Sequence, residues 1–168
     1  MANRQDNPIL DLFGISLPII QAPMAGATTP EMVIAVSQAG GLGSLPGAMM
    51  SAEQMRAALD RIRAATRNPI NLNFFAHAAP APDPARQMAW RAALAPYYVE
   101  LGLDPAEPVP SSNRSPFDEE YCAIVEAYRP EVVSFHFGLP REDLLQRVKR
   151  TGAKVIASAT TVAEARWL

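Results

Sequence analysis

Short apolar runs alternate with segments of helical character along this chain of 168 residues. Each run is followed by helix-start or turn residues, so the pattern is typical of parallel βα units. The predicted strands start at 19, 42, 70, 132 and 154, and all but one of the intervals, 23, 28 and 22 residues, fit one βα unit each. We predict strands at 19–24, 42–46, 70–75, 132–137 and 154–159, and helices at 30–39, 51–66, 118–128, 141–151 and from 161.

Five such units are compatible with two α/β folds. They suit an open flavodoxin-like sheet. They also suit five-eighths of a (βα)8 barrel, which needs about 250 residues when complete. Periodicity alone does not choose between the two folds.

The one long interval, 76–117, is rich in proline and holds eight of the sixteen prolines. Within it, 84–101 is predicted to form a helix interrupted near Pro96, because proline removes a helical hydrogen bond. Connections of this length are often lids or binding loops, and a plain surface excursion is the alternative. Both interpretations stay open at this point.

Composition narrows the expected partners of the protein and its expected cellular compartment. The formal net charge is −2 and no basic cluster occurs, so we expect no nucleic-acid partner. The single cysteine, Cys122, excludes an intrachain disulfide and is predicted to lie buried in a helix. Residues 1–10 lack a signal-peptide core and no run is long enough for a membrane span. We therefore expect a cytoplasmic protein without membrane contact.

Polar residues interrupt four of the five predicted strands near their carboxyl ends. Ligands of parallel sheets and barrels bind at that edge. A buried amide without a partner costs about 1–3 kcal/mol, so these positions indicate a site rather than chance. Capping of nearby loops is the alternative. The residues are Gln21, Asn71, Asn73, Ser134, His136 and Ser158.

Histidine chemistry centres on His136, which precedes Phe137-Gly138 at the end of a predicted strand. An imidazole can hold or accept a proton near neutral pH, so His136 is the candidate for pocket chemistry. A satisfied structural histidine is the alternative. His77, two residues past the third strand, is a weaker candidate. No paired carboxylates and no metal-ligand spacing occur, so we predict no metal site.

The first predicted strand ends in small or backbone-special residues: Pro23, Ala25 and Gly26. A helix start, Thr29-Pro30, follows at once. Such a side-chain-poor turn lets a flat or anionic ligand reach the backbone.

Four segments together resemble the nitronate monooxygenases, formerly called 2-nitropropane dioxygenases. The resemblance runs from about Leu12 to Leu168. The first two segments are shared with related FMN barrels, including FMN-dependent enoyl-acyl carrier protein reductases, whereas the last is more specific. The segments are 19–26 (IIQAPMAG), 39–44 (AGGLGS), 71–75 (NLNFF) and 133–138 (VSFHFG).

This resemblance implies a TIM barrel that binds FMN non-covalently and oxidises alkyl nitronates with dioxygen to a carbonyl compound and nitrite. Residues 12–168 would be the N-terminal part of that barrel, with 76–117 as its proline-rich excursion. By position, Asn73 would bind FMN through its amide and His136 would face the substrate pocket. Backbone contacts to the flavin would come from Ala22, Pro23, Met24 and Ala25.

The family's chains are about twice as long as this one. The resemblance places the histidine usually assigned as catalytic base, and the loops that bind the FMN phosphate, beyond Leu168. Two alternatives therefore accompany the nitronate hypothesis. One is a truncated, non-catalytic half barrel that self-associates through open sheet edges. The other is an FMN-dependent enoyl-thioester reductase, which the 133–138 segment disfavours.

Overall fold

The computed structural model describes residues 7–78, 81–108 and 114–168. Its sheet has four parallel strands in the order β1-β2-β3-β4, which confirms the predicted α/β class. The strands are β1 Gly43–Pro46, β2 Ile70–Phe75, β3 Val132–His136 and β4 Lys154–Ala157. The helices are α1 Pro8–Phe13, α2 Pro30–Gln38, α3 Ala52–Ala65, α4 Pro84–Glu100, α5 Glu119–Tyr128, α6 Glu142–Arg150 and α7 Val162–Trp167.

The predicted strand at 19–24 is wrong in extent. Only Ile20 pairs, in a single parallel bridge with Leu42, where the Leu42 amide donates to the Ile19 carbonyl and the Gln21 amide to the Leu42 carbonyl. Pro18 and Pro23 flank this bridge and have no N–H to extend the ladder. The segment still lies beside β1, where the first strand was expected.

One face of the sheet, the helix face, packs against α2, α3, α5 and α6. Its strand residues are buried and apolar because side chains alternate across each strand. Phe74 lies at the centre, with its ring 4.8 Å from Phe117 and 5.5 Å from Tyr121 between centroids. The buried strand residues of this core are Leu45, Ile70, Leu72, Phe74, Val133 and Phe135.

The opposite face, here called the polar face, carries Ser44, Asn71, Asn73 and Ser134. Its amino end is covered by a smaller core in which Phe13 and Ile15 pack against Leu42 and Val132. The carboxyl end of the polar face is the edge where the predicted site residues lie.

Helix α1, which supplies Phe13, was missed by the sequence analysis. The signals for it are local. Asn7 caps the helix by accepting from the Ile9 amide at 3.1 Å, Pro8 is the first helical residue, and Gly14 ends it at φ 66°. Its shortness, six residues, hid it from a search for apolar periodicity.

Residues 78–112 cluster as a compact unit separate from the sheet, and α4 is its helix. The predicted interruption of this helix near Pro96 is wrong, since α4 is continuous through Pro96. No residue of α4 is buried, so water can satisfy the carbonyl that Pro96 leaves without a donor. Among the described residues, no helix is long and apolar enough to cross a membrane.

Candidate functional site

Gln21 fastens the segment after the Ile20 bridge to β1. Its Nε2 donates to the Ser44 carbonyl at 3.3 Å and to Thr28 Oγ1 at 3.2 Å, while its Oε1 accepts from the Ser44 amide at 3.3 Å. Asn71 Nδ2 continues this chain of bonds to Ser44 Oγ at 3.1 Å. Gln21 therefore ties the 21–28 segment to the polar face of the sheet.

Asn73 lies on the same face, one layer nearer the carboxyl end. Its Nδ2 donates to Ser134 Oγ at 3.0 Å and to the Ser134 carbonyl at 3.4 Å. Both residues are buried, and they are register partners on β2 and β3. The amide of Asn73 is thus oriented by the neighbouring strand rather than by its own.

Asn71 leaves one acceptor unused. Its Oδ1 is buried and has no hydrogen-bond partner in the described part of the chain. A buried acceptor without a donor costs about 1–3 kcal/mol. This oxygen marks the polar face as able to accept a bond from a group that the described residues do not supply.

The 22–28 segment is a turn that exposes its backbone. The Met24 carbonyl accepts from the amides of Ala27 and Thr28 at 3.1 and 2.8 Å, and the Met24 amide donates to Thr28 Oγ1 at 3.1 Å. Gly26 has φ 82°, and a Cβ added there would meet nothing within 4 Å. Ala22, Met24 and Ala25 are exposed, so the turn presents an open surface of two alanines and one methionine.

His136 ends β3 on the polar face and is half-buried. Its Nδ1 lies 2.8 Å from Ser158 Oγ. The ring centroids of Phe75 and Phe137 each lie 6.3 Å from that of His136. His77 is 6.1 Å from Phe75 and 6.3 Å from Phe137 on the same measure. Both histidines therefore border one aromatic pair, Phe75 and Phe137, whose centroids are 4.9 Å apart.

Phe137 has an unusual backbone conformation that could not be predicted from the sequence. Its φ is 66°, in the left-handed region that bulky residues rarely adopt, and Gly138 follows at φ 99°. Such strain costs of order 1–3 kcal/mol and concentrates at functional sites. The strained backbone turns an exposed phenyl ring toward Phe75.

The structure places the predicted residues at one edge of the sheet. Asn73 and His136 share the polar face at neighbouring register positions, and Gln21 links the turn at 22–25 to the same face through Ser44. The sequence analysis missed Ser44 and Thr28, although strand alternation could have placed Ser44 on this face. It also missed Phe75 and Phe137, for which no local signal exists.

Cys122 lies outside the polar face of the sheet. Cys122 is buried in α5, as predicted, and burial raises the pKa of its thiol, which makes it a poor nucleophile. In the residues that the structure describes, no group of three or more His, Cys, Asp or Glu side chains could hold a metal ion.

The unit at 78–112 has a cavity of its own, of about 800 Å³. Trp90, Arg86 and Asp83 are among its lining residues. The role of this unit, lid or surface excursion, stays a prediction.

Comparisons with known proteins show the family of this chain. The family model described as nitronate monooxygenase matches residues 6–168. A nitronate monooxygenase of Paraburkholderia phytofirmans is 40% identical over 158 residues, which are 94% of this chain and 43% of that protein. One of Pseudomonas aeruginosa is 41% identical over 155 residues, 92% of this chain and 44% of that protein. The chain thus spans less than half the length of these relatives.

Solved structures of related proteins superpose on most of this chain. A nitroalkane oxidase from Streptomyces ansochromogenes superposes with a TM-score of 0.76 at 32% identity, over 96% of this chain and 45% of that one. FabK from Thermotoga maritima superposes with a TM-score of 0.65 at 24% identity, over 95% of this chain and 39% of that one. The second likeness concerns the fold alone.

Proposed function

Because this chain belongs to the nitronate monooxygenase family, we propose that it serves the FMN-dependent oxidation of alkyl nitronates by dioxygen to a carbonyl compound and nitrite. The chain spans 43% of one matched relative. Its own share of such a site is the side that faces the flavin ring, together with His136.

The observation that carries this proposal is the polar face of the sheet, whose layer nearer the carboxyl end holds Asn73 and Ser134. Parallel strands are normally apolar on both faces, yet here Ser44, Asn71, Asn73 and Ser134 are buried side by side. The unpartnered Oδ1 of Asn71 fits a donor-bearing ligand or a bound water. An isoalloxazine ring carries both donors and acceptors along its edge, so the amide and hydroxyl groups of the polar face suit a flavin.

FMN, when bound, would supply the electron-accepting ring for the oxidation. Residues 22–25 would hold the ring through their exposed backbone, because the side chains of Ala22, Pro23 and Ala25 are small. Asn73 would bind the ring edge through its amide, which Ser134 orients. His136 would bind the nitronate, an anion, through a ring nitrogen.

A flavin-binding titration tests the ring side of this proposal. We expect the purified chain to bind FMN and riboflavin with similar affinities, because the residues proposed to hold the flavin, 22–25 and Asn73, would contact its ring. Flavin absorbance that survives gel filtration would support binding. Failure of both flavins to bind the folded wild-type chain would overturn the proposal.

A substitution of Asn73 tests whether its amide binds the flavin ring. Asn73→Ala should weaken flavin binding about tenfold, the effect of one lost hydrogen bond to a ligand. Asn68→Ala is the control, because Asn68 Nδ2 also donates to a backbone carbonyl, that of Ser37, but lies before the amino end of β2. Circular dichroism of both variants checks that folding is intact. Equal flavin affinities for the two variants would remove Asn73 from the site.

Turnover separates the nitronate hypothesis from the reductase alternative. Nitrite released from propyl-1-nitronate in air, with FMN present and NAD(P)H absent, would support nitronate oxidation. NAD(P)H oxidation coupled to a crotonyl thioester would instead support a reductase.

A further inference from the structure

Ser158 lies directly after β4 and contacts the candidate histidine. Its Oγ is 2.8 Å from His136 Nδ1, and its amide donates to the Phe135 carbonyl at 3.4 Å. Twenty-two residues separate Ser158 and His136 in sequence. The pairing of β3 with β4 brings the hydroxyl and the imidazole together.

The connection after Ser158 is braced by one carboxylate. Glu164 accepts at a single oxygen, Oε2, from the Thr160 amide at 2.6 Å and from Thr160 Oγ1 at 2.8 Å. Thr161 caps α7 by accepting from the Glu164 amide at 3.1 Å. These bonds order the turn between β4 and α7, which begins directly after β4 with Ser158.

The imidazole is fixed from its other sides by aromatic rings. Phe75 meets it edge-on at an interplanar angle of 62°, and Phe137 lies at 60°. With Nδ1 directed to Ser158, Nε2 lies on the far side of the ring. Nε2 makes no hydrogen bond within the part of the chain that the structure describes.

We propose that Ser158 is a positioning residue for His136. Its hydroxyl donates to Nδ1, so the neutral ring carries its proton on Nε2 and offers that N–H to an oxygen of the nitronate. A neutral imidazole has one donor and one acceptor nitrogen, and a nitronate anion only accepts, so this tautomer alone can bind it. The nitronate part of this inference rests on the proposed function.

Nitrogen-15 NMR of the histidine rings tests the tautomer directly. The chain has two histidines, so His77 serves as an internal reference and His136→Gln assigns the signals. Long-range ¹H–¹⁵N spectra are recorded on the neutral rings at alkaline pH. We expect His136 to show Nε2 as the protonated nitrogen and Nδ1 as the bare one, with widely separated shifts.

Removal of the hydroxyl should abolish that separation. Ser158 is exposed, so Ser158→Ala should fold normally, and its His136 nitrogen shifts should converge as the tautomers mix. Ser158→Thr should restore the wild-type shifts. The control is Ser16→Ala, which loses a hydroxyl that bonds the Gly40 carbonyl outside the site. Unchanged His136 shifts in Ser158→Ala, or Nδ1 as the protonated nitrogen in the wild type, would overturn the proposal.

The tautomer measurement needs neither flavin nor nitronate, so it fails or succeeds independently of the proposed function. A titration with propyl-1-nitronate forms the second arm. A shift of the His136 Nε2 signal in the wild type that is lost in Ser158→Ala would support the donated contact. If the wild type has its proton on Nε2 but the Nε2 signal does not shift when the nitronate is added, the donated contact and the proposed role of His136 are overturned.

Discussion

At the scale of single residues, the candidate site depends on side chains that are oriented by a neighbouring strand. Asn73 is held by Ser134 on β3, and His136 by Ser158 after β4. Buried amides need such partners, because each unsatisfied group costs about 1–3 kcal/mol. Asn71 Oδ1 is the exception among the described residues, and it lies on the same face, one layer nearer the amino end than Asn73. An unpaired acceptor beside oriented amides is the arrangement expected of a binding surface.

Backbone strain at two residues has different origins. Phe137 is strained at the site, where its ring packs against Phe75. Arg129 is strained at the end of α5, where it adopts φ 43° as the helix cap. Glycine is the usual residue at such a cap. Arg129 lies outside the candidate site, so a substitution can relieve its backbone strain without changing the site.

Arg129→Gly should stabilise the fold by about 0.5–1 kcal/mol. The left-handed conformation costs an L-residue about 1–2 kcal/mol, and the greater freedom of glycine in the unfolded chain offsets part of the gain. Chemical denaturation measures the change. Arg67→Gly is the control, since Arg67 is also exposed but has no positive φ, and it should lose stability. Destabilisation of both variants alike would contradict the assignment of strain to Arg129.

At the scale of elements, α5 and α6 are joined by ion pairs. Arg147 donates through Nε and Nη2 to the two carboxylate oxygens of Glu126, at 2.8 and 2.7 Å, and through Nη1 to Glu119. The guanidinium of Arg147 holds the pKa of Glu126 below its ordinary value. Because Glu126 ionises more easily in the folded state, its ionisation favours folding.

The contribution of this pair should depend on pH. It is fully present above the unfolded pKa of a glutamate, about 4.3, and is lost as the pH falls through the lower folded pKa. Arg147→Gln should therefore lower the midpoint of thermal unfolding near neutral pH, and its difference from the wild type should shrink below about pH 4.

Lys149→Gln is the control for this experiment. It removes the same charge from α6, and in the described part of the chain Lys149 makes no hydrogen bond to Glu126. We expect the unfolding midpoint of this variant to follow the wild type across the pH range. A gap between Arg147→Gln and the wild type that stays constant down to pH 3 would refute the role of Glu126 ionisation.

Local signals predicted some elements well and others poorly. The capping box of Ser51 and Gln54 and the Thr29-Pro30 start were readable, since both involve residues within one helical turn. The extent of the strand at 19–24 and the continuity of α4 through Pro96 could not be predicted from local signals. The first depends on how far the segment pairs with β1, and the second on whether water reaches the carbonyl that Pro96 leaves without a donor. Both are properties of the fold.

At the scale of the molecule, the sheet has an unpaired edge. Among the described strands, β4 pairs with β3 alone. At the other edge, Ile19 and Ile20 are exposed by 56% and 44%. Open edges and exposed apolar residues favour pairing with another chain. We therefore propose that the chain self-associates.

Ala157→Pro should reduce this self-association by roughly tenfold at equal concentration. The amides of Lys154 and Ser158 bond to β3, so by alternation the N–H of Ala157 lies on the free edge, where proline removes it. Light scattering after gel filtration measures the oligomer. Ala157→Ser retains the N–H and should behave as the wild type. Equal association of the two variants would exclude the β4 edge as the contact.

By itself, the sequence determined the α/β class, the faces of the strands and the family resemblance. These follow from period-two alternation, helix capping and short motifs, which are properties of neighbouring residues. The tertiary structure alone decided that Ser158 meets His136, that Ser134 orients Asn73, and that Phe137 is strained toward Phe75. Each of these contacts joins different segments of the chain, and their geometry is set by strand register and packing rather than by local preference.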